Sequence, residues 1–231
     1  MNSAKDQPKQ KSEGRTLADL IMQKFAAGEV EYVSSKDGEK KQEDETDIFT
    51  PKAVATYKKL GVILRTYKSG KLPKAFKLIP YLEGWEELLF LTSPHSWSPN
   101  ATYEATRLFA SALNAKMAQR YYSLVLLENV RDNIAKYKKL NCHLYMAVKK
   151  AMFKIDSFIK GFLLPLAEDA TSREAVIIGS ILAKNSINNL HAAAAIMKLT
   201  QMEYKVGSGY FLKTLLAKKF SLPTQVINQL V

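Results

Sequence analysis

The 231-residue chain has few of the residues that cross-link a fold or break a helix: one cysteine, 10 glycines and 8 prolines. Cys142 alone excludes a disulfide within the chain, which fits a reducing compartment. The longest apolar run, residues 175–183, is interrupted by Ser180 and is too short to cross a bilayer. Because helix formers are abundant and no segment alternates with period two, the sequence predicts an all-α fold with no membrane contact.

Acidic residues are missing from residues 48–82, although this stretch contains eight lysines and arginines. The charge is uneven along the whole chain. Residues 1–50 hold 8 basic and 11 acidic side chains, a net charge of −3, whereas residues 51–231 hold 26 and 11, a net charge of +15. The positive side chains in such a surplus repel one another unless an anionic partner is present. Nucleic acid is the commonest partner of this kind.

The sequence also lacks a recognisable catalytic or metal-binding constellation. The three histidines, His95, His143 and His191, are scattered, and Cys142 and His143 are neighbours that point in different directions on a helix. One cysteine and no histidine pair at i, i+4 provide too few ligands for a zinc site. Residues 207–209 (Gly-Ser-Gly) are too short for a phosphate loop, so they predict a linker and helix cap. We therefore expect no enzymatic activity, cofactor, metal or small-molecule substrate.

The first 50 residues are predicted to form a flexible segment that carries one short amphipathic helix over residues 16–27. Thr16 can cap that helix, and the apolar side chains that follow share one face. A linker rich in Lys, Glu and Asp, residues 34–47, separates the helix from the rest of the chain. An isolated helix of this length is marginal in water, so it would dock on its own domain or on a partner. Its candidate partner-binding residues are Leu17, Leu20, Ile21 and Phe25.

Residues 51–231 are predicted to form one helical domain, either a multi-helix bundle or an α-solenoid-like stack of helix pairs. Cap-plus-proline signatures at Thr50-Pro51 and Ser98-Pro99 begin two of its helices. The expected helices cover residues 51–67, 73–80, 85–91, 99–127, 129–140, 143–153, 173–184, 187–200, 210–220 and 224–231.

Apolar spacing suggests which side chains form the core of this domain. We expect Leu78 to point inward, residues 175–183 to form a central buried helix, and Gly179 to allow close approach of a second helix. In the helix over residues 187–200, one apolar face is expected to contain Ile187, Leu190, Ala194 and Met197. The phenylalanines assigned to the core are Phe76, Phe109, Phe153 and Phe211.

Basic residues that recur near aromatic residues indicate RNA binding, because lysine neutralises phosphate and rings can stack on unpaired bases. The acid-free segment of residues 67–80 carries four lysines, and further basic groups follow along the chain. The candidate RNA-binding residues are Lys68, Lys71, Lys74, Lys77, Arg120, Lys138, Lys139, Lys149 and Lys150.

Several blocks of residues, in one order along the chain, resemble the bystin family, called essential nuclear protein in fungi. The resemblance runs from residue 51 to the last residue, with a weaker match at residues 16–25. The longest blocks are Tyr67-Lys68-Ser69-Gly70-Lys71-Leu72-Pro73-Lys74-Ala75-Phe76-Lys77, Ala105-Thr106-Arg107-Leu108-Phe109-Ala110-Ser111, Met117-Ala118-Gln119-Arg120-Tyr121-Tyr122 and Asn141-Cys142-His143-Leu144-Tyr145-Met146-Ala147. Further blocks lie at residues 124–132, 173–180 and 202–204.

The resemblance implies an all-helical, non-catalytic factor of 40S ribosomal subunit assembly. Such a factor joins the 90S small-subunit precursor in the nucleolus and nucleus and travels with the pre-40S particle to the cytoplasm. Its implied partners are precursor 18S rRNA, small-subunit ribosomal proteins near the beak, and an assembly factor of the low-temperature-viability type. Family members continue well past the point where this sequence stops, so we expect further helices after residue 231.

A second interpretation remains open at this level. The same lysines could face carboxylates if the domain were a protein-only adaptor that binds acidic peptides of other assembly factors.

Overall fold

The computed structural model describes residues 51–230, whose regular secondary structure is helical and includes no β-strand. The all-α prediction is therefore confirmed for this part of the chain. The helices are α1 (Pro51–Thr66), α2 (Lys74–Leu78), α3 (Trp85–Leu91), α4 (Pro99–Ala112), α5 (Ala115–Tyr121), α6 (Leu127–Tyr137), α7 (Cys142–Ala151), α8 (Ile155–Phe158), α9 (Leu164–Asp169), α10 (Ser172–Lys184), α11 (Asn189–Gln201), α12 (Val206–Leu216) and α13 (Thr224–Leu230).

The predicted N-terminal helix over residues 16–27, with Leu17, Leu20, Ile21 and Phe25, lies outside the described residues. The flexible character predicted for residues 1–50 lies outside them as well. Within residues 51–230, no helix is both long enough and apolar enough to span a bilayer.

Helix α1 shows how the core is assembled from a local pattern. Tyr57, Leu60 and Leu64 recur at helical spacing and are buried, whereas the lysines between them are exposed. Gly61 lies on the same buried face, where a Cβ atom would be only 2.5 Å from the backbone oxygen of Thr92. The absence of a side chain at Gly61 therefore allows α1 to approach the end of α3 closely.

The predicted helix over residues 99–127 is two helices. As expected, the Ser98 hydroxyl caps α4 by accepting from the Ala101 amide at 3.1 Å. Leu113 and Asn114 are extended, with ψ angles of 152° and 166°, and they end α4 before α5 begins. A π-helical turn (Tyr122–Leu126) then joins α5 to α6 in one continuous helical run.

The segment from Ile155 to Asp169 is helical, although no helix was predicted there, because Gly161 and Pro165 both indicate interruption. A π-helical turn (Ile159–Leu163) precedes Pro165, so the residue that lacks an amide hydrogen comes at the beginning of a new helical segment, α9. A Cβ atom at Gly161 would lie 2.3 Å from the backbone oxygen of Gln119, so this turn packs directly against the backbone of α5.

Four predictions of whether a side chain or a helix is buried were wrong. Leu78 is 58% exposed, because α2 turns Phe76 and the following Ile79 inward instead. Helix α10 is not buried all round, since Val176 is 49% exposed. In α11, Leu190 is 71% exposed and Ala194 is exposed. The buried face of α11 is Ala192, Ala193, Ala195, Ile196 and Leu199.

The Gly207-Ser208-Gly209 segment was also misplaced, because it forms the first turn of α12 rather than a linker before it. The Ser208 hydroxyl accepts from the Lys205 amide at 3.0 Å and stabilises that turn. The close approach predicted at Gly179 is confirmed, because a Cβ atom there would lie 2.5 Å from the ring of Tyr210 in α12.

The helices pack mainly on helices two or three positions away in the chain: α1 on α3, α4 on α7, α5 on α8, α10 on α12 and α11 on α13. A cluster of aromatic rings connects α2, α4 and α5. Phe109 stacks on Tyr121 with centroids 4.6 Å apart, and Phe76 meets both Phe109 and Trp97 edge to face. This packing holds the acid-free segment of residues 67–80 against α4.

Candidate nucleic-acid interface

The acid-free segment is anchored to the domain at both its backbone and its apolar side chains. Leu72, Phe76 and Ile79 are buried. The Ser98 hydroxyl donates to the Tyr67 carbonyl at 2.6 Å, and the Asn100 amide donates to the Lys68 carbonyl. The four lysines of the segment are all exposed on this fixed backbone: Lys68, Lys71, Lys74 and Lys77.

A cleft of about 840 Å3 lies beside this segment, between the end of α1, the beginning of α4, and α6. Arg65 lines one side of the cleft, and Trp97 and Pro99 line it at the beginning of α4. The opposite wall is a polar stripe of α6 at positions i, i+3, i+4, i+7 and i+8, which we call the α6 stripe: Asn129, Asp132, Asn133, Lys136 and Tyr137. The other face of α6, with Val130 and Ile134, is buried in the core.

A smaller recess of about 340 Å3 continues the cleft. It shares Pro99, Asn133 and Tyr137 with the cleft and adds Lys139. The Asn133 side-chain oxygen accepts from the Asn141 amide at 3.0 Å, which holds the connection between α6 and α7 in place. Asn100, the residue after Pro99, donates to the Lys68 carbonyl, so the backbone of Lys68 is joined to the beginning of α4.

Tyr137 lies where the cleft and the recess meet, and it is 60% exposed. The Lys136 ammonium is 5.3 Å from the centroid of the Tyr137 ring. An exposed ring beside a lysine is the pairing that binds unpaired nucleotides, since the ring can stack on a base while the cation contacts phosphate.

Lys138 lies on the other side of this corner, in a left-handed conformation that ends α6. Its carbonyl accepts from Arg173 Nη1 at 3.4 Å, and Lys138 and Arg173 line a further recess of about 420 Å3. Glu174 lines the same recess and offsets one of its two positive charges, as Asp132 does in the main cleft.

Three other predicted residues lie away from the cleft. Lys77 lines a shallow recess of about 260 Å3 with Arg107 and Glu104. Lys149 and Lys150 lie in the last turn of α7, where the Lys150 ammonium is 4.9 Å from the centroid of Phe153. Phe153 itself is 71% exposed, so its assignment to the core was wrong. It follows α7 in a short 3-10 turn that turns its ring outward.

Arg120 forms a two-bond ion pair with Glu86 of α3, in which Nη2 donates to Oε2 at 2.7 Å and Nε donates to Oε1. This pair raises the pKa of Arg120 and occupies the fork of its guanidinium. RNA contact by Arg120 stays a prediction, and it would require exchange of a carboxylate partner for a phosphate.

Two basic residues from the clusters seen in the sequence have structural roles. The Lys154 ammonium donates to the Leu113 carbonyl at the end of α4. The Lys218 ammonium donates to the carbonyls of Leu182 at 2.9 Å and Ala183 at 3.2 Å, and it also donates to that of Asn185. Both lysines therefore satisfy carbonyl groups at helix ends, and burial lowers the pKa of Lys218.

The candidate set from the sequence missed the α6 stripe and Arg65. A signal for the stripe was available, because polar residues recur at helical spacing opposite Val130 and Ile134. Among residues 51–230, no group of three or more His, Cys, Asp and Glu side chains could hold a metal ion.

Comparison with known proteins shows what the chain is similar to. The Bystin family model matches residues 11–231. Bystin of Monosiga brevicollis is 50% identical over 226 residues, which cover 97% of this chain and 53% of that protein. Human Bystin is 48% identical over 221 residues, 94% of this chain and 50% of that protein, and Bystin of Drosophila melanogaster is 44% identical over 219 residues, 93% and 49%. The chain therefore spans about half the length of the curated relatives it matches.

The family match covers nearly the whole chain and agrees with the blocks of residues noted in the sequence. The chain belongs to the bystin family.

Proposed function

We propose that this protein is a non-catalytic ribosome biogenesis factor, which binds pre-18S rRNA as a scaffold during assembly of the 40S subunit. Membership of the bystin family supports the proposal at the level of the protein class. The observation that carries it is the exposure of Lys68, Lys71, Lys74 and Lys77 on a segment that is anchored to the domain and contains no acid.

The anchoring makes these lysines a better RNA site than a flexible tail of the same charge. Tyr67 and Lys68 are held by hydrogen bonds, and Leu72, Phe76 and Ile79 are held in the core. Binding to a backbone that is already ordered costs less conformational entropy. Each phosphate that a lysine neutralises then contributes a salt-dependent term to the affinity.

The proposed setting is the nucleolus and nucleus, with passage to the cytoplasm on the pre-40S particle. The proposed protein partners are small-subunit ribosomal proteins near the beak and an assembly factor of the low-temperature-viability type.

A protein-only adaptor is the alternative function, and one observation favours it. Leu78 and Tyr81 are exposed apolar side chains directly beside Lys74 and Lys77. Alternating apolar and basic side chains fit a peptide that carries both acidic and apolar residues.

Charge reversal tests the proposal. Lys71, Lys74 and Lys77 are replaced by Glu together, and affinity for a pre-18S rRNA fragment is measured against salt concentration. We expect weaker binding and a log–log salt slope that is smaller in magnitude by about 2–3, because each lost contact removes roughly 0.7–0.9. In cells, RNA crosslinks close to Lys71 should be abundant.

A matched control changes the net charge equally at other helices. Lys160, Lys184 and Lys213 are exposed, and they are replaced by Glu in a second protein. If both triple variants lose the same affinity, or if neither changes the salt slope, the segment is not the RNA site. If the first variant loses only an acidic peptide partner, the adaptor function is correct instead.

A further inference from the structure

We propose that the cleft between α1, α4 and α6 is a binding site for one unpaired nucleotide, with a preference for guanine. This inference rests on the proposed RNA-binding function and adds a second contact to it. The anchored lysines would hold the phosphate backbone, while the cleft would accept a base that has left the helical stack.

Size and charge both fit a nucleotide. The volume of about 840 Å3 lies in the range that small-molecule ligands occupy, roughly 300–1,000 Å3. Arg65 and Lys136 line the cleft, and Lys139 lines the recess that continues it. The phosphate group of a bound nucleotide would lie near these three cations.

The α6 stripe provides groups that can recognise a base. Tyr137 offers an exposed ring at the junction of cleft and recess, and stacking on such a ring is independent of sequence because every base has a π face. The stripe also carries polar side chains within one helical face of that ring, so the edge of a stacked base can reach them.

Asn129 supplies an acceptor that the fold leaves unused. The residue is 8% exposed, and its Nδ2 donates to the carbonyls of Pro94 at 3.2 Å and Val125 at 2.9 Å. No residue between 51 and 230 donates to its Oδ1, although Asn129 lines the cleft. An acceptor that the fold leaves free on the lining of the cleft can accept a hydrogen bond from a ligand that donates to it.

Asp132 determines which base fits. Its carboxylate lines the cleft and forms no ion pair within residues 51–230. Guanine presents two adjacent N–H donors on its Watson–Crick edge, which match the two oxygens of a carboxylate. Adenine and cytosine present a donor beside an acceptor there, and uracil presents one donor between two acceptors. A two-bond contact of this kind discriminates by about 5- to 150-fold in affinity.

The experiment measures fluorescence anisotropy of labelled pentaribonucleotides with a central G, A, C or U between uridines, using the full chain. The unmodified protein should bind the central-G oligomer at least about fivefold more tightly than the central-A oligomer. Tyr137→Ala should weaken binding of all four by about 5- to 150-fold, and Tyr137→Phe should retain most of the affinity.

Asp132→Asn separates recognition from simple charge. Removal of a negative charge should raise the affinity for every oligomer, but the preference for G over A should fall towards one. Tyr204→Ala is the matched control, because Tyr204 is 85% exposed and lines no part of the cleft. It should bind all four oligomers as the unmodified protein does, and thermal unfolding checks that every variant is folded.

Three results would overturn the inference. The first is equal binding of the G and A oligomers by the unmodified protein. The second is unchanged affinity in Tyr137→Ala. The third is an acidic peptide that binds in a Tyr137-dependent manner while the oligomers do not. If a long rRNA fragment still binds with the salt dependence of the anchored lysines, only the nucleotide site is refuted. If no RNA binds at all, the proposed function fails as well.

Discussion

Gly61 in α1 allows a close approach to the backbone at the end of α3, and replacing it with alanine should destabilise the domain. The new Cβ atom would lie 2.5 Å from the backbone oxygen of Thr92 and 3.0 Å from its carbonyl carbon. Backbone atoms cannot rotate away as a side chain can, so α1 must move outward. The same Thr92 oxygen accepts from Trp97 Nε1 at 3.0 Å, and that hydrogen bond is strained by the displacement.

Three effects set the expected magnitude. Overpacking of a well-packed core costs about 1–3 kcal/mol. Weakening of the Trp97 hydrogen bond costs about 1 kcal/mol more. Alanine gains about 1 kcal/mol over glycine in a helix. The free energy of unfolding should therefore fall by about 1–3 kcal/mol. The melting temperature should fall by about 2–12 °C, because each kcal/mol corresponds to roughly 2–4 °C in a domain of this size.

Gly209→Ala in α12 is the matched control. Its Cβ atom would also be too close to a neighbour, at 2.8 Å, but that neighbour is the ring of the exposed Tyr204, which can rotate. We expect its melting temperature to be unchanged or raised by up to about 4 °C. Thermal unfolding monitored by circular dichroism checks both variants. If Gly61→Ala is as stable as the unmodified protein, or if both variants lose the same stability, the close approach of α1 and Thr92 is incorrect.

Two further predictions concern buried hydroxyls and a lysine that caps a helix. The Tyr122 hydroxyl is buried without a partner among the described residues, whereas the Tyr121 hydroxyl is 3.2 Å from Thr106 Oγ1. Tyr122→Phe should thus be neutral or stabilising in urea unfolding, and Tyr121→Phe should cost about 0.5–1.5 kcal/mol; the reverse order would contradict this assignment. Burial raises the pKa of both tyrosine hydroxyls above the ordinary value of 10.0. The folded protein therefore holds these protons more tightly than the unfolded chain does, and its free energy of unfolding falls as the pH rises above 10.0. Tyr122→Phe removes one of the two groups, so this fall should be less steep. Lys218→Met should lower the free energy of unfolding by about 1–3 kcal/mol, because helix-end carbonyls lose their donor. Replacement of the exposed Lys219 by Met should change it by no more than about 0.5 kcal/mol. Equal effects of the two substitutions in thermal unfolding would refute the capping role.

Prediction of local structure succeeded where the signal was local. Ser98 and Pro99 begin α4 as expected, since a cap followed by proline acts within one turn. The segment from Ile155 to Asp169 was missed for a reason that is only partly local. Glycine and proline ordinarily interrupt helices, but a π-helical turn accommodates Pro165, and the packing of Gly161 on Gln119 requires a residue without a side chain.

Faces of helices were predicted less well than their positions. Leu78, Leu190 and Phe153 follow apolar spacing, yet they are exposed. Spacing defines which residues share a face, but only the neighbouring helices decide which face is covered.

The sequence by itself determined the all-α class, the family and the acid-free segment with its four lysines, because composition, periodicity and charge are properties of the chain. The tertiary structure decided which basic side chains remain available. Arg120 pairs with Glu86, 34 residues away, and Lys218 reaches the Leu182 carbonyl, 36 residues away. The cleft likewise exists only because α1, α4 and α6 meet. Contacts across such separations depend on the packing of the whole core, which short-range sequence patterns do not specify.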